Sequence, residues 1–249
     1  MTEKRHRRIT SFVPRSGRIP ERQERALRAH GATYIIDAEI DDTYVLTERP
    51  RLEESFGRQA PLIVEIGAGA GDQIVAHAKQ HPENNYLALE VWWPGVASSV
   101  SRIVREGVDN VRLLNADAVV ALPLLFGQGE KPVEVWTFFP DPWQKARHRK
   151  RRLVTPSFAQ IVADILPTGG VWRLATDWDD YAWQMRDAIA AVPELVNPHA
   201  GQRIDEDDPG DEGIVGGFAP RWEGRITTRF ETRGLGENRR IHDLEVYRG

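Results

Sequence analysis

The sequence predicts an α/β fold: a doubly wound, mostly parallel sheet closed by a C-terminal antiparallel hairpin. Three observations point there. Residues 62–66, Leu-Ile-Val-Glu-Ile, are a nearly unbroken apolar run stopping at a glycine-rich turn, as a strand buried on both faces does. Similar short runs then alternate with helical stretches bounded by proline and glycine. Near the C-terminus the alternation gives way to two strand-like segments, 225–233 and 242–248, that could pair antiparallel.

The elements follow in order. A helix is expected from Gly71 to His81, ended by Pro82, then a strand over 85–90. Pro94 suits the first turn of the next helix and Gly107 its end. Strands are expected at 111–115 and 133–139, with a short helix at 118–126 between them and Pro140 stopping the second strand. A helix at 156–166 and a strand at 169–176 complete the alternation. The last helix, 178–192, has Asp177 as its expected N-cap. Residues 1–40 read as a basic, partly disordered tail with a short helix possible over 21–30, and 41–249 as one domain with a long acidic loop at 197–224.

Composition narrows the function. The chain has 249 residues, 41% hydrophobic and 28% charged, enough for one folded domain. It has no cysteine, so no disulfide framework or thiolate metal site is expected. No apolar run approaches a membrane span and no secretory leader is legible, so a cytoplasmic protein with no metal is expected. The net charge of −4 argues against a general nucleic-acid binder, but its distribution does not. Residues 1–30 hold nine Lys/Arg against three Glu, and 141–152 hold six against Asp141 alone. Residues 205–212 hold six acids and no base. Two basic clusters on an acidic chain suggest a focused polyanion-binding face.

The first strand runs into Glu65-Ile66-Gly67-Ala68-Gly69-Ala70-Gly71-Asp72. A dinucleotide fingerprint needs a third glycine where Asp72 stands, which disfavours a nicotinamide enzyme. The spacing E-x-G-x-G-x-G instead resembles motif I of the class I S-adenosylmethionine methyltransferases, whose fold is Rossmann-like. Glu90 ends the second strand, where a carboxylate can accept from both ribose hydroxyls. Asp117 follows the third, where it can accept from an adenine amino group or cap the helix at 118–126. All lie at the carboxyl edge, where open α/β sheets bind ligands.

The fourth strand ends in Phe138-Phe139-Pro140-Asp141-Pro142-Trp143. Two prolines hold an extended, rigid turn that presents Asp141 at the same edge. Next come Lys145, Arg147, Arg149, Lys150, Arg151 and Arg152. The string F-F-P-D-P-W-x-K-A-R-H-x-K-R-R resembles the signature of the tRNA (guanine-N7)-methyltransferases. Ser11-Phe12-Val13 with Gly17-Arg18, Ala175-Thr176-Asp177-Trp178 and Thr228-Arg229-Phe230-Glu231 resemble further elements of that family, with Arg229 replacing a lysine. The similarity runs over essentially residues 9–249, broken mainly by the acidic loop.

The resemblance implies S-adenosylmethionine as methyl donor, tRNA as partner and N7 of a variable-loop guanine as acceptor. It implies that Glu65, Gly67, Gly69, Glu90, Asp117 and Asp141 contact the cofactor, with Asp141 also catalytic. Lys145, Asp177, Thr228, Arg229, Phe230 and Glu231 would contact substrate, and Arg147, Arg149, Lys150, Arg151 and Arg152 would contact RNA. Trp143, Trp178 and Phe230 are candidates to stack on the base, against the ordinary role of core packing. Either Asp141 or Asp177 would read the Watson–Crick edge of guanine. DNA is not expected as a substrate, and no protein partner is legible. Two alternatives stay open: a methyltransferase of another base or exocyclic amine, and an RNA-binding relative without activity.

Overall fold

A computed structural model of the chain describes residues 9–13, 17–204 and 216–249, without the side chains of Arg229 and Phe230. The acidic segment 205–212 and residues 1–8 and 14–16 of the basic N-terminus therefore lie outside the described residues. The sheet is built from β1 (Leu62–Ile66), β2 (Asn85–Leu89), β3 (Val111–Leu114), β4 (Glu134–Phe138), β5 (Val171–Thr176), β6 (Leu195–Val196) and β7 (His242–Arg248). Its order is β3-β2-β1-β4-β5-β7-β6, with β1 to β5 parallel and β7 antiparallel to both neighbours. Reversal of strand order between β1 and β4 creates the crevice in which α/β sheets bind ligands.

Side-chain alternation along the strands sorts the core into two layers. Leu62, Val64 and Ile66 of β1 and Leu87 and Leu89 of β2 face α5 (Ala118–Phe126), α6 (Pro156–Ile165) and α7 (Asp179–Ala190). Ile63, Tyr86 and Ala88 face α3 (Asp72–Gln80) and α4 (Trp93–Glu106) on the other side. Local chemistry sets the helix ends. Asp117 Oδ1 accepts from Val119 N at 3.0 Å, and Thr155 Oγ1 accepts from Phe158 N at 3.3 Å. Gly107 closes α4 with φ 66°. Near the N-terminus, α1 (Glu21–Tyr34) is longer than the expected short helix and packs on α4, steadied by Glu21–Arg25 and Glu24–Arg28 pairs at i,i+4 spacing. Residues 52–56 add a short helix, α2 (Leu52–Phe56).

Three local expectations are corrected. The antiparallel C-terminal element is present, but β7 inserts between β5 and β6 instead of pairing with 225–233. Residues 229–236 form α8 (Arg229–Gly236), because Thr228 Oγ1 accepts from Glu231 N at 3.3 Å and caps a helix. Asp177 does not cap α7. The N-cap residue is Trp178, and Asp177 Oδ2 instead accepts from Arg239 Nε at 2.8 Å.

Candidate active site

One cavity of about 890 Å³ lies at the carboxyl edge of β1, β2 and β4. Glu65, Gly67, Gly69, Glu90, Asp117 and Asp141 all line it, so residues expected to act together are brought together. Gly67, Gly69 and Gly71 have φ of 75°, 56° and 72°, a left-handed conformation that side chains with a Cβ resist. This winds the backbone tightly from β1 into α3. Helix α4 closes on the loop from behind. Ser99 Oγ donates to Gly69 O at 3.2 Å, and Arg102 donates to Ala70 O at 3.1 Å while pairing with Asp72.

Gly95 permits this close approach. A Cβ there would meet Gly69 O at 2.6 Å and Trp92 Cε3 at 3.0 Å. Gly95→Ala is expected to push α4 off the loop, costing about 1–3 kcal/mol of stability. Cofactor affinity is expected to fall by more than about tenfold, because misplacement of positioning groups by about 1 Å costs that much or more. Calorimetric titration and thermal melts check both, and unchanged affinity would refute the bracing role.

The acids are not equivalent. Glu90 is buried and accepts from Gly69 N at 2.6 Å and Trp92 N at 2.7 Å. With a further backbone bond from Val91, the carboxylate still keeps acceptor capacity for a ligand. Burial pushes its pKa up, opposed by these backbone bonds. Burial also pushes Glu65 up, to about 8, with nearby Glu90 adding to the effect. Glu65 Oε2 is buried without a hydrogen-bond partner among the described residues. A buried, proton-holding carboxyl at a glycine turn fits a cationic ligand group, and the ammonium of S-adenosylmethionine is of that kind. Asp117 combines both alternatives, capping α5 and lining the cavity.

The turn after β4 is held in an unusual conformation. Phe139 and Trp143 have φ of 49° and 45°, bracketing Pro140-Asp141-Pro142. Such residues persist only where surrounding contacts over-determine them. Phe139 N donates to Ala175 O at 2.7 Å, Trp143 Nε1 donates to Ser11 O at 2.9 Å, and the Arg225 guanidinium lies 5.5 Å from the Phe139 ring centroid. Asp141 is exposed toward solvent at the cavity wall. Trp143 packs against the N-terminal segment and under Arg151, which leaves it engaged in packing.

The basic run splits into two populations. Lys145 at the N-cap and Arg147, Arg149 and Lys150 on the 3-10 helix Ala146–Arg151 are exposed beside the Asp141 turn, with Arg149 also paired to Asp180 at 2.7 Å. Arg151 is partly exposed. Arg152 corrects the expectation of an RNA contact: it is 3% exposed. Its guanidinium donates to Pro142 O at 2.8 Å, Gln184 Oε1 at 2.9 Å and Asp180 Oδ1 at 2.8 Å, and sits over the Tyr181 ring. These bonds tie the Asp141 turn to α7, leaving no face for a phosphate.

The remaining candidates divide. Thr228 lines the cavity, while Lys145 and Asp177 stand outside its wall. Glu231 is buried and paired with Arg225 at 2.8 Å and Arg221 at 3.1 Å. Sequence reasoning passed over Arg225, Arg233, Gln73 and Trp92, which also line the cavity. Arg225 carried a signal only in retrospect, as a basic residue three positions before the Thr-x-x-Glu cap.

Comparison with known proteins agrees with this geometry. A family model described as "Putative methyltransferase" matches residues 59–242. A tRNA (guanine-N(7)-)-methyltransferase of Cutibacterium acnes is 43% identical over 239 residues, covering 95% of this chain and 82% of its own. Relatives of that name from a Nocardioides species and Methylococcus capsulatus are 41% and 40% identical, covering 98% and 97% of this chain and 89% and 94% of theirs. Among solved structures, the 16S rRNA methyltransferase KamB aligns with a TM-score of 0.53 at 14% identity, over 85% of this chain and 99% of its own. The 16S rRNA (adenine(1408)-N(1))-methyltransferase of Catenulisporales acidiphilia gives 0.52 at 15% identity, over 85% and 97%. At such identities these two establish the fold alone.

Proposed function

This chain belongs to the tRNA (guanine-N(7)-)-methyltransferase family, and on that premise we propose that it methylates N7 of a guanine in tRNA, with S-adenosylmethionine as donor. One observation carries the reading beyond family membership: a single cavity is walled by the glycine turn and its acids on one side and by Pro140-Asp141 on the other. Exposed Lys145, Arg147, Arg149 and Lys150 stand directly beside that wall and suit phosphates.

The bound donor supplies a methyl group on a positively charged sulfur. Guanine N7 has a lone pair and no proton, so no residue has to act as a base. The chain has to align the partners and keep water out. Gly67 and Gly69 would let the backbone approach the donor, Glu65 would accept from its ammonium, Glu90 would hold the ribose, and Asp117 would take the adenine amino group. Asp141 sits where the acceptor enters, and its fixed negative charge offsets the positive charge left on methylated guanine. Asp177 and Thr228 lie further along the acceptor side. The guanine of the variable loop is the acceptor we favour, and the cytoplasm the compartment. Among the described residues no helix is long and apolar enough to cross a membrane, and no cluster of acids and histidines could hold a metal ion.

The test is transfer of a labelled methyl group to unmodified tRNA, followed by nucleoside analysis. N7-methylguanosine is the expected product. Label in another nucleoside would point to a different acceptor atom, and no transfer would leave an RNA-binding relative.

Glu65 adds a pH signature. Its raised pKa keeps it protonated near neutral pH, and a ligand ammonium favours the ionised form. Cofactor binding at pH 7 is then expected to release a proton, with affinity rising as pH climbs toward 8. In the free protein the stability held by this protonation is present below its unfolded value of 4.5 and is lost as pH rises to about 8. Titration calorimetry in buffers of different ionisation enthalpy counts the proton, and Glu65→Gln should remove it. Release unchanged in that variant would assign the proton elsewhere.

A further inference from the structure

Gln73 stands on the first turn of α3, directly after the glycine loop, and is 3% exposed. Its Oε1 accepts from Ile226 N at 2.8 Å and its Nε2 donates to Gly224 O at 2.8 Å. One side-chain amide thus bonds the backbone on either side of Arg225. This copies the pattern by which the N–H and C=O of one residue in a parallel strand grip the residues on either side of a residue in its neighbour. The gripped segment belongs to no strand, so these bonds satisfy backbone groups that would otherwise lack partners. Around it, Trp222 packs on His77 of α3 and on Trp136, with ring centroids 5.4 and 5.2 Å away. Gln73, Arg225 and Thr228 all line the cavity that holds Glu65 and Gly69.

We propose that Gln73 is a positioning residue that fixes the acceptor-side segment, residues 224–228, against the donor loop. The proposal rests on the methyltransferase reading above. A primary amide offers a donor and an acceptor on one rigid plane at this length, which a carboxyl does only when protonated. Through Arg225 the clamp reaches Phe139 and the Asp141 turn. Loss of the clamp should therefore disturb the alignment of the two substrates more than the binding of the donor.

The experiment measures kcat and the KM of tRNA at saturating S-adenosylmethionine, together with donor Kd and Tm, for Gln73→Ala, Gln73→Met and Gln73→Glu. The alanine and methionine variants are expected to lose about 10- to 100-fold in kcat. Donor Kd should stay within about threefold, since the glycine loop keeps its own bonds to α4. Gln73→Glu keeps the acceptor but, when ionised, cannot donate to Gly224. Its kcat relative to wild type should recover as pH falls and the carboxyl regains a proton, which a purely structural role would not produce. Wild-type kcat in the alanine variant would overturn the proposal, as would loss of donor binding in step with kcat. If the alanine variant does not fold, the glutamate pH profile decides alone, and a flat profile overturns it. Wild-type enzyme yielding no N7-methylguanosine would instead be a failure of the functional reading.

Discussion

Asp141→Ala is expected to lower kcat by about 100- to 1000-fold, the scale on which a single preorganised electrostatic contact acts. Donor Kd should change by less than about tenfold, because Glu65, Glu90 and the glycine loop remain. The expectation follows from placement. Asp141 is the exposed acid on a turn whose flanking residues are both prolines and whose next neighbours, Phe139 and Trp143, both have positive φ. A turn so constrained loses little freedom when substrate arrives, so the carboxylate's field is already aimed. Asp141→Asn separates charge from shape: a deficit close to that of alanine assigns the effect to charge. Near-normal kcat in both variants would remove Asp141 from the catalytic role. Steady-state methyl transfer with donor titration is the measurement.

The second large effect concerns stability. Arg225→Met is expected to cost about 3–5 kcal/mol, the range for breaking a buried ion network by removing one partner. Arg225 bonds Asp243 twice, at 3.0 and 2.8 Å, and approaches Glu231 at 2.8 Å, with all three side chains buried. Without the guanidinium Asp243 loses its ion pair, and Glu231 keeps Arg221, which is exposed. Burial already pushes the pKa of Asp243 up, and Arg225 holds that rise in check. In the variant Asp243 should hold its proton to higher pH, so the native state would bind more protons than the unfolded chain. The penalty should then shrink as pH is lowered toward the acid range. Urea unfolding at two pH values reads this. A cost below about 1 kcal/mol, or one that grows on acidification, contradicts the network described.

Most of the parallel sheet was legible because its signals are strong and local. Strand 62–66 and its glycine turn, the Pro94 start of α4 and the Asp117 cap each follow from a few adjacent residues. What escaped was set by tertiary context. Ile226, Thr227 and Thr228 favour a strand by their branched side chains, but Thr228 caps a helix whose Glu231 is held by Arg225 and Arg221. Two-residue β6 is too short to carry a period. In the basic run, nothing local distinguishes Arg152 from Lys150. Only the position of α7 makes Arg152 a buried clamp on Pro142. The cofactor-side acids were readable from strand ends, whereas Gln73 and Arg225 act through segments about 150 residues apart in the chain.

The place of β7 between β5 and β6 has a consequence for biosynthesis. During translation β5 leaves the ribosome well before residues 242–248 are made. For that interval one side of β5 is a bare ladder of backbone donors and acceptors beside a forming apolar core, the kind of edge that recruits foreign strands. The nascent chain should thus be most prone to aggregate, and most in need of chaperones, once β5 has emerged and β7 has not.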